Sequence, residues 1–329
     1  DCTLVLLDEK DFDKYSTVKR IADLEYGQHS LCAEAGKIFK SGGKRLQHLS
    51  NLALKVNMKV GGDNHQLDPK QLESLLEVPT MILGADVTHP GVGSKWGCPS
   101  IACVVGSVDQ QFMNYPGSMR LQAGKQEYIE DMRSMVRERL EAWGKNSTTD
   151  KKLPTSIIFY RDGVSESQFE NCAEREITQI KEAYEELDGD PTELELTFIV
   201  VGKRHHTRFY PTEESQSYWV KEVKRNSKGK VISDDWIVDG NLKPGLLVEN
   251  VVTSPKPYNF FLQSHCAIKG TARSAHYHVL RDGTGKAKEI LPKLTLMLCC
   301  AFGRATKAVS YAAPAYIADR LCERGRVYL

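Results

Sequence analysis

Two aspartates, Asp86 and Asp162, share one local setting: each closes an apolar run and precedes a turn. The runs are Val78-Pro79-Thr80-Met81-Ile82-Leu83-Gly84-Ala85 and Ser156-Ile157-Ile158-Phe159-Tyr160, and Gly163 follows the second aspartate. If both runs are neighbouring strands, the two carboxylates meet outside the sheet and repel each other. Such a pair calls for a cation, and a set of oxygen donors suits Mg2+. Two such ions about 4 Å apart activate a water and stabilise the leaving oxygen in phosphodiester hydrolysis. On spacing alone, however, two unrelated turn or cap aspartates are the commoner explanation.

A second group is cationic. Tyr15 and Lys19 stand four apart in one helical pattern, Lys55 and Lys59 in another, so each pair shares a helix face. Converged on one point, they would hold a phosphate, with the ring stacking on a base. Taken alone, lysines on helix faces are usually just solvated. The run Lys203-Arg204-His205-His206-Thr207-Arg208 directly follows an apolar segment, so it turns out into solvent or into a groove.

The elements that must position these groups fall into two parts. Residues 3–7 are an apolar run, and helical patterns cover 15–22 and 46–59; in the latter Leu49, Leu52, Ala53 and Val56 form one stripe. Gly61-Gly62 stops that helix, and the polar stretch 63–77 leads to a boundary near residue 75. Beyond it the order is strand, strand, helix, strand, helix, strand. The second strand is 101–106, and a long helix carries Ile129, Met132, Val136, Leu140 and Trp143 on one side. A helix over 169–186 and a strand over 196–201 follow. This alternation predicts an α/β fold whose sheet is covered on both faces, with function beyond the strand ends.

Composition sets limits. The 329 residues carry 44 Lys+Arg against 43 Asp+Glu, a net charge of +1, so any polyanion site must be a local concentration of charge. Nine cysteines without a C-x-x-C pair suit a reducing compartment and oppose a disulfide framework or zinc ribbon; Cys299 and Cys300, inside an apolar run, read as core. No stretch approaches the ~18 apolar residues of a membrane span, and the opening residues lack the flanks of a signal peptide. A chain that opens inside a strand without a start methionine is expected to be part of something longer. Gly36 to Lys44 has the wrong spacing for a phosphate loop, and Arg45 replaces the hydroxyl residue needed there. His276 and His278 share a strand face without further zinc ligands nearby, and Ser165, Ser167 and His205 lack a nucleophile elbow.

Longer motifs change the weighting. Gly84-Ala85-Asp86-Val87-Thr88-His89-Pro90 and Ile158-Phe159-Tyr160-Arg161-Asp162-Gly163-Val164-Ser165-Glu166 closely resemble two signature segments of the Piwi domain of eukaryotic Argonautes. Lys203 to Arg208, Ala275-His276-Tyr277-His278-Val279 and Ala313-Pro314-Ala315-Tyr316 match further segments in the family's order. The resemblance covers essentially the whole chain and is of the Argonaute rather than the Piwi clade, with a fungal quelling-type protein as one candidate within it. It implies an RNase H-like PIWI domain at 76–329, preceded at 1–75 by the C-terminal half of a Rossmann-like MID domain.

The resemblance also implies roles. Asp86 and Asp162 match the family's two strand-end aspartates, Glu127 its mobile glutamate and Asp319 its fourth metal-competent position; without the resemblance, Glu127 reads as a first-turn helix residue. All four would be catalytic and metal-binding, with Mg2+, or Mn2+ in its place. Tyr15, Lys19, Lys55, Lys59 and Arg324 match the pocket for the guide's 5′-phosphate, with Leu31 where many relatives have a glutamine. Lys203, Arg204, His265, Arg273 and Arg304 are candidates for contacts along the guide backbone. The implied function is a small-RNA-guided RNA endonuclease of RNA silencing, leaving a 5′-phosphate and a 3′-hydroxyl. A second class is a guide-loaded scaffold that represses through recruited partners. A third, an unguided RNase H or transposase-like nuclease, leaves the cationic pocket unexplained. Expected partners are a small guide RNA, a complementary target RNA and silencing-complex proteins, with no membrane. A monomer in the cytoplasm, with the nucleus as a second location, is expected.

Overall fold

The computed structural model describes residues 2–39, 43–94, 96–146, 152–227 and 231–329. Lys40-Ser41-Gly42, the middle of the phosphate-loop-like stretch, lies outside them. Near the start, β1 (Cys2–Leu7) is followed by α1 (Phe12–Arg20), whose first turn is capped by Asp11 accepting from the Lys14 amide at 2.9 Å. A wider helical turn continues it over Ile21–Glu25. Then come β2 (His29–Glu34), α2 (Ala35–Phe39), α3 (Gly43–Lys59) and α4 (Pro69–Glu73). β1 and β2 pair in parallel from Cys2 opposite His29 to Leu7 opposite Glu34. Both predicted helices are present and begin about three residues early. β2 was not foreseen, because its mixed residues carry no clean alternation.

The remainder holds β3 (Thr80–Thr88), β4 (Ser100–Gly106), β5 (Gly117–Gln122), α5 (Met132–Asn146), β6 (Ser156–Asp162), α6 (Phe169–Glu185) and β7 (Glu195–Gly202). It continues through β8 (Ser217–Arg225), β9 (Val231–Leu242), β10 (Leu246–Val248), β11 (Asn259–Gln263), β12 (Ala275–Arg281), α7 (Ala287–Cys300) and α8 (Ala313–Tyr328). Among the described residues, eight strands form one mixed sheet in the order β10-β11-β12-β7-β6-β3-β4-β5, while β8 and β9 make a separate hairpin. β3, β6 and β7 run parallel at its centre; the other pairs are antiparallel.

Central strands are covered on both faces, so they read as continuous apolar runs. Met81, Leu83, Ile157 and Phe159 pack under α5 and α6 with Met132, Leu140 and Ile180. Ile82, Ile158, Tyr160 and Ile199 pack under α7 and α8 with Leu291, Leu298 and Ala315. Period-two alternation sends neighbouring strand residues to opposite layers. α8 begins where Pro314 predicted, with its proline in the first turn. It is pinned to the first part of the chain: the Tyr328 hydroxyl donates to Asp23 Oδ2 at 2.7 Å.

Two expectations need correction. Asp86 lies inside β3 rather than beyond it, because pairing with β4 persists as far as Thr88 opposite Ile101. Cys299 is buried but Cys300 is exposed, since adjacent helical residues point about 100° apart. No helix among the described residues is long and apolar enough to cross a membrane.

Candidate carboxylate centre and cationic pocket

β3 and β6 are parallel neighbours with Ala85 opposite Arg161, so the next residues, Asp86 and Asp162, lie side by side towards the C-terminal ends of two central strands. Gly163 then turns the chain with φ +87°, a conformation that favours glycine, and a Cβ there would stand 3.1 Å from Asp86 Oδ1. The glycine thus allows the second strand to end against the first carboxylate. Burial raises the pKa of Asp86; Arg161 opposes that rise and Asp319 adds to it. Asp162 is likewise pushed up, first by burial and then by the charges of Asp86 and Asp319, while hydrogen bonds from the Gly163 amide and the Tyr311 hydroxyl restrain it. Burial and three surrounding aspartates push the Tyr311 phenol far up, so it remains a protonated donor. Three aspartates from β3, β6 and α8 therefore share one electrostatic neighbourhood.

The four expected metal ligands are nevertheless not assembled. Among the described residues, no three His, Cys, Asp or Glu side chains meet as a ready metal-binding group. Two of the four have other partners. Glu127, in the loop before α5, rests against His89, with Oε1 3.1 Å from Nε2. Asp319 Oδ2 is held by its neighbour Arg320 at 2.8 Å. What remains poised is the Asp86–Asp162 pair: Asp86 buried, Asp162 partly so, mutually repelling and made only of oxygen donors. That donor chemistry fits a hard divalent cation.

Beneath the pair lies an ion pair that the sequence reading did not single out. Arg161 and Glu176 are both fully buried, with Nε to Oε1 at 3.2 Å. Glu176 Oε1 also accepts from the Ile129 amide at 3.0 Å, while Arg161 donates to the carbonyls of Asp162 and Glu127. One network thus fixes the end of β6 and the backbone of the Glu127 loop. Losing either partner would strand a buried charge. The visible signal was an arginine inside an otherwise apolar strand.

The cationic pocket assembles from α1, α3 and α8. Lys19, only 2% exposed, donates to Ser30 O at 2.5 Å and Ser30 Oγ at 2.9 Å. Burial, then the charges of Arg324 and Lys59, lower its pKa to about 8. Tyr15 lies beneath both cations, its ring centroid 5.8 Å from Lys19 Nζ and 5.9 Å from the Arg324 guanidinium. Burial depresses Lys59, with Arg324 adding to the effect, and burial and then Arg304 depress Lys55. Arg324 Nη1 is buried without a hydrogen bond, although Asp23 Oδ2 stands 3.4 Å away. Crowded, desolvated cations that outnumber the one nearby carboxylate, Asp23, mark a place for an anion. All five predicted residues converge here. Leu31, 5% exposed, packs in the core of β2, while its neighbours Ser30 and Cys32 face Lys19.

The secondary candidates divide. Lys203 donates to Ser310 Oγ at 2.5 Å, lies 5.4 Å from the Tyr311 ring and feels the charge of Asp162, so it borders the carboxylates. Arg273 is exposed and donates to Lys203 O at 3.2 Å; Arg204 is exposed. Burial and the Lys203 charge push His265 down to about 4, and its Nδ1 is buried without a partner. Arg304 belongs elsewhere: its neighbours are Arg320, Arg324 and Tyr15, so it joins the pocket rather than the Lys203 group. His276 stacks on Phe261 with ring centroids 3.8 Å apart and meets Asn259 Oδ1 at 2.9 Å, a packing role.

The parallel centre of the sheet, flanked by antiparallel strands and edged by paired aspartates, is an RNase H-like arrangement. A family model described as "Piwi domain" matches residues 2–329, and the chain belongs to that family. Protein argonaute 18 of Oryza sativa subsp. japonica is 40% identical over 337 aligned positions, covering all of this chain and 28% of its own length. The C-terminal lobe of a budding yeast Argonaute superposes with a TM-score of 0.85 at 32% identity, covering 99% of this chain and 62% of that one. Kluyveromyces polysporus Argonaute with a guide RNA gives 0.84, also at 32% identity, covering 99% and 35%. The chain therefore spans little more than a quarter of the rice relative's length.

Proposed function

We propose that this chain is the guide-anchoring and cleaving part of a small-RNA-guided endoribonuclease, with residues 1–75 holding the guide's 5′ end and 76–329 carrying the nuclease. The observation that carries this reading is the pairing of two complementary sites on one helix: α8 brings Asp319 to the carboxylates and Arg324 to the cationic pocket. In the pocket, Lys19, Lys55, Lys59 and Arg324 neutralise a 5′-phosphate, and Tyr15 stacks on the first base. Lys203, Arg273 and Arg204 meet backbone phosphates, which position a strand without reading it. Asp86 and Asp162 would hold Mg2+ or Mn2+, with Asp319 and Glu127 as further ligands once released from Arg320 and His89. A metal held there would supply an activated water and charge stabilisation at the leaving oxygen. Tyr311 keeps the Asp162 carboxylate oriented, and Arg161 fixes the backbone on which it sits. Products bearing a 5′-phosphate and a 3′-hydroxyl are part of the proposal, as are a complementary RNA target and a cytoplasmic setting.

A second reading draws on the engaged state of Glu127 and Asp319: a guide-loaded scaffold that recruits silencing proteins and does not depend on cutting. The complete protein, loaded with a 5′-phosphorylated guide and given a matched labelled RNA with Mg2+, separates the two. One discrete cut supports the nuclease, binding alone the scaffold, and guide-independent degradation neither. Asp86→Ala is expected to abolish the cut and leave guide affinity nearly unchanged. Undiminished cutting by that variant would refute the nuclease assignment.

A further inference from the structure

Asp319 and Arg320 are consecutive on α8, and their side chains are bound to each other. Arg320 Nε and Nη2 both donate to Asp319 Oδ2, at 3.1 and 2.8 Å. Its third nitrogen, Nη1, donates to Glu323 Oε2 at 2.6 Å, and the guanidinium lies 5.0 Å from the Tyr316 ring centroid. The guanidinium occupies Oδ2 and offsets the carboxylate's charge, so a cation drawing on Asp319 competes with Arg320 for that charge and for the side chain's orientation.

The competition is open to reversal. Both side chains are partly exposed, 36% for Arg320 and 27% for Asp319, so their attraction is weakened by solvent. Glu323, one helical turn further on, retains the guanidinium when Asp319 lets go. On its other side Arg320 stands within electrostatic reach of Arg304, which in turn neighbours Arg324 and Lys55. Arg320 is therefore the cation at the seam between pocket and carboxylates, where a phosphodiester strand passing from one to the other would meet it. A planar guanidinium takes phosphate as readily as carboxylate.

We infer that Arg320 is a positioning residue, a displaceable clamp that holds Asp319 out of the cation site until strand phosphate draws the guanidinium away. The clamp rests on the nuclease reading above, and its test separates the two. Mn2+ affinity of the chain is measured from the EPR signal of free Mn2+, for wild type, Arg320→Met, Asp319→Asn and the double variant. Arg320→Met is expected to bind Mn2+ roughly two- to five-fold more tightly, and the gain to vanish in the Asp319→Asn background. A 5′-phosphorylated RNA oligonucleotide is expected to tighten Mn2+ binding by wild type, relative to Asp86→Ala under the same conditions, and to leave Arg320→Met unaltered. Equal affinities for wild type and Arg320→Met, a gain that survives without Asp319, or the same RNA effect in both proteins would each overturn the clamp. Mn2+ binding indifferent to Asp86→Ala, or no binding, would instead bring down the nuclease reading and the clamp with it.

Discussion

At the scale of single residues, burial turns ordinary side chains into chemical groups. Lys19 on a solvated helix face would be one cation among many. Burial against Ser30, with Arg324 and Lys59 nearby, lowers its pKa to about 8. The pocket therefore carries that charge below about pH 8 and loses it as pH rises. An anion binds the charged form, so phosphate affinity falls with rising pH, by up to about tenfold per unit above the pKa. The difference in Kd between 5′-phosphorylated and 5′-hydroxyl oligonucleotides should shrink between about pH 7 and pH 9. Lys19→Arg, which stays charged throughout, should weaken the trend, leaving what the depressed Lys55 and Lys59 contribute. A difference that ignores pH in wild type would show that Lys19 does not face the phosphate. The lysine's position was legible from its spacing to Tyr15; its desolvation was not, because Ser30 lies on a strand with no clear pattern.

At the scale of elements, α8 decides the arrangement. It lies so close to β3 that a Cβ at Gly84 would overlap the Pro314 carbonyl and approach the Ala315 nitrogen to 2.8 Å. Backbone cannot rotate out of the way as a side chain does, so the strand or the helix would have to shift. Gly84→Ala is expected to cost on the order of 1–3 kcal/mol or more in chemical denaturation, whereas Gly36→Ala, with nothing within 4 Å of the added Cβ, should be close to neutral. Equal midpoints for the two variants would show that α8 does not seat on β3 in solution. The sequence marked the start of this helix through Pro314 and the strand through its apolar run. Their contact was invisible, since it joins segments 230 residues apart in the chain. β8 and β9 escaped the reading for another reason: an exposed hairpin gains little by alternating apolar and polar residues.

Across the whole molecule, the carboxylate centre strains the fold that builds it. Asp162 is raised above the usual carboxylate range by burial and by Asp86 and Asp319. For an acid whose folded pKa exceeds its unfolded one, the folded state binds more protons, so stability falls as pH rises through the raised value. Asp162→Asn should therefore raise the Tm of the metal-free protein at about pH 8, and the gain should shrink toward about pH 5, where wild type protonates its own carboxyl. His276, pushed by burial down to about 3, acts in the opposite sense, since the unfolded chain takes up its proton first as pH falls. The variant-minus-wild-type difference, rather than the overall pH profile, is thus the useful readout. A loss of stability at the higher pH would contradict the strain.

The sequence by itself determined the alternating strands and helices, the two aspartates that follow apolar runs and the cationic spacing on two helices, because those depend on neighbours a few residues apart. It also determined the family, through long motifs in order. Only the tertiary structure decided that Arg304 joins the pocket, that Glu127 rests on His89 and that Asp319 is held by Arg320. Those outcomes depend on competition between charges that short-range patterns do not record: a carboxylate takes whichever cation three-dimensional packing brings nearest.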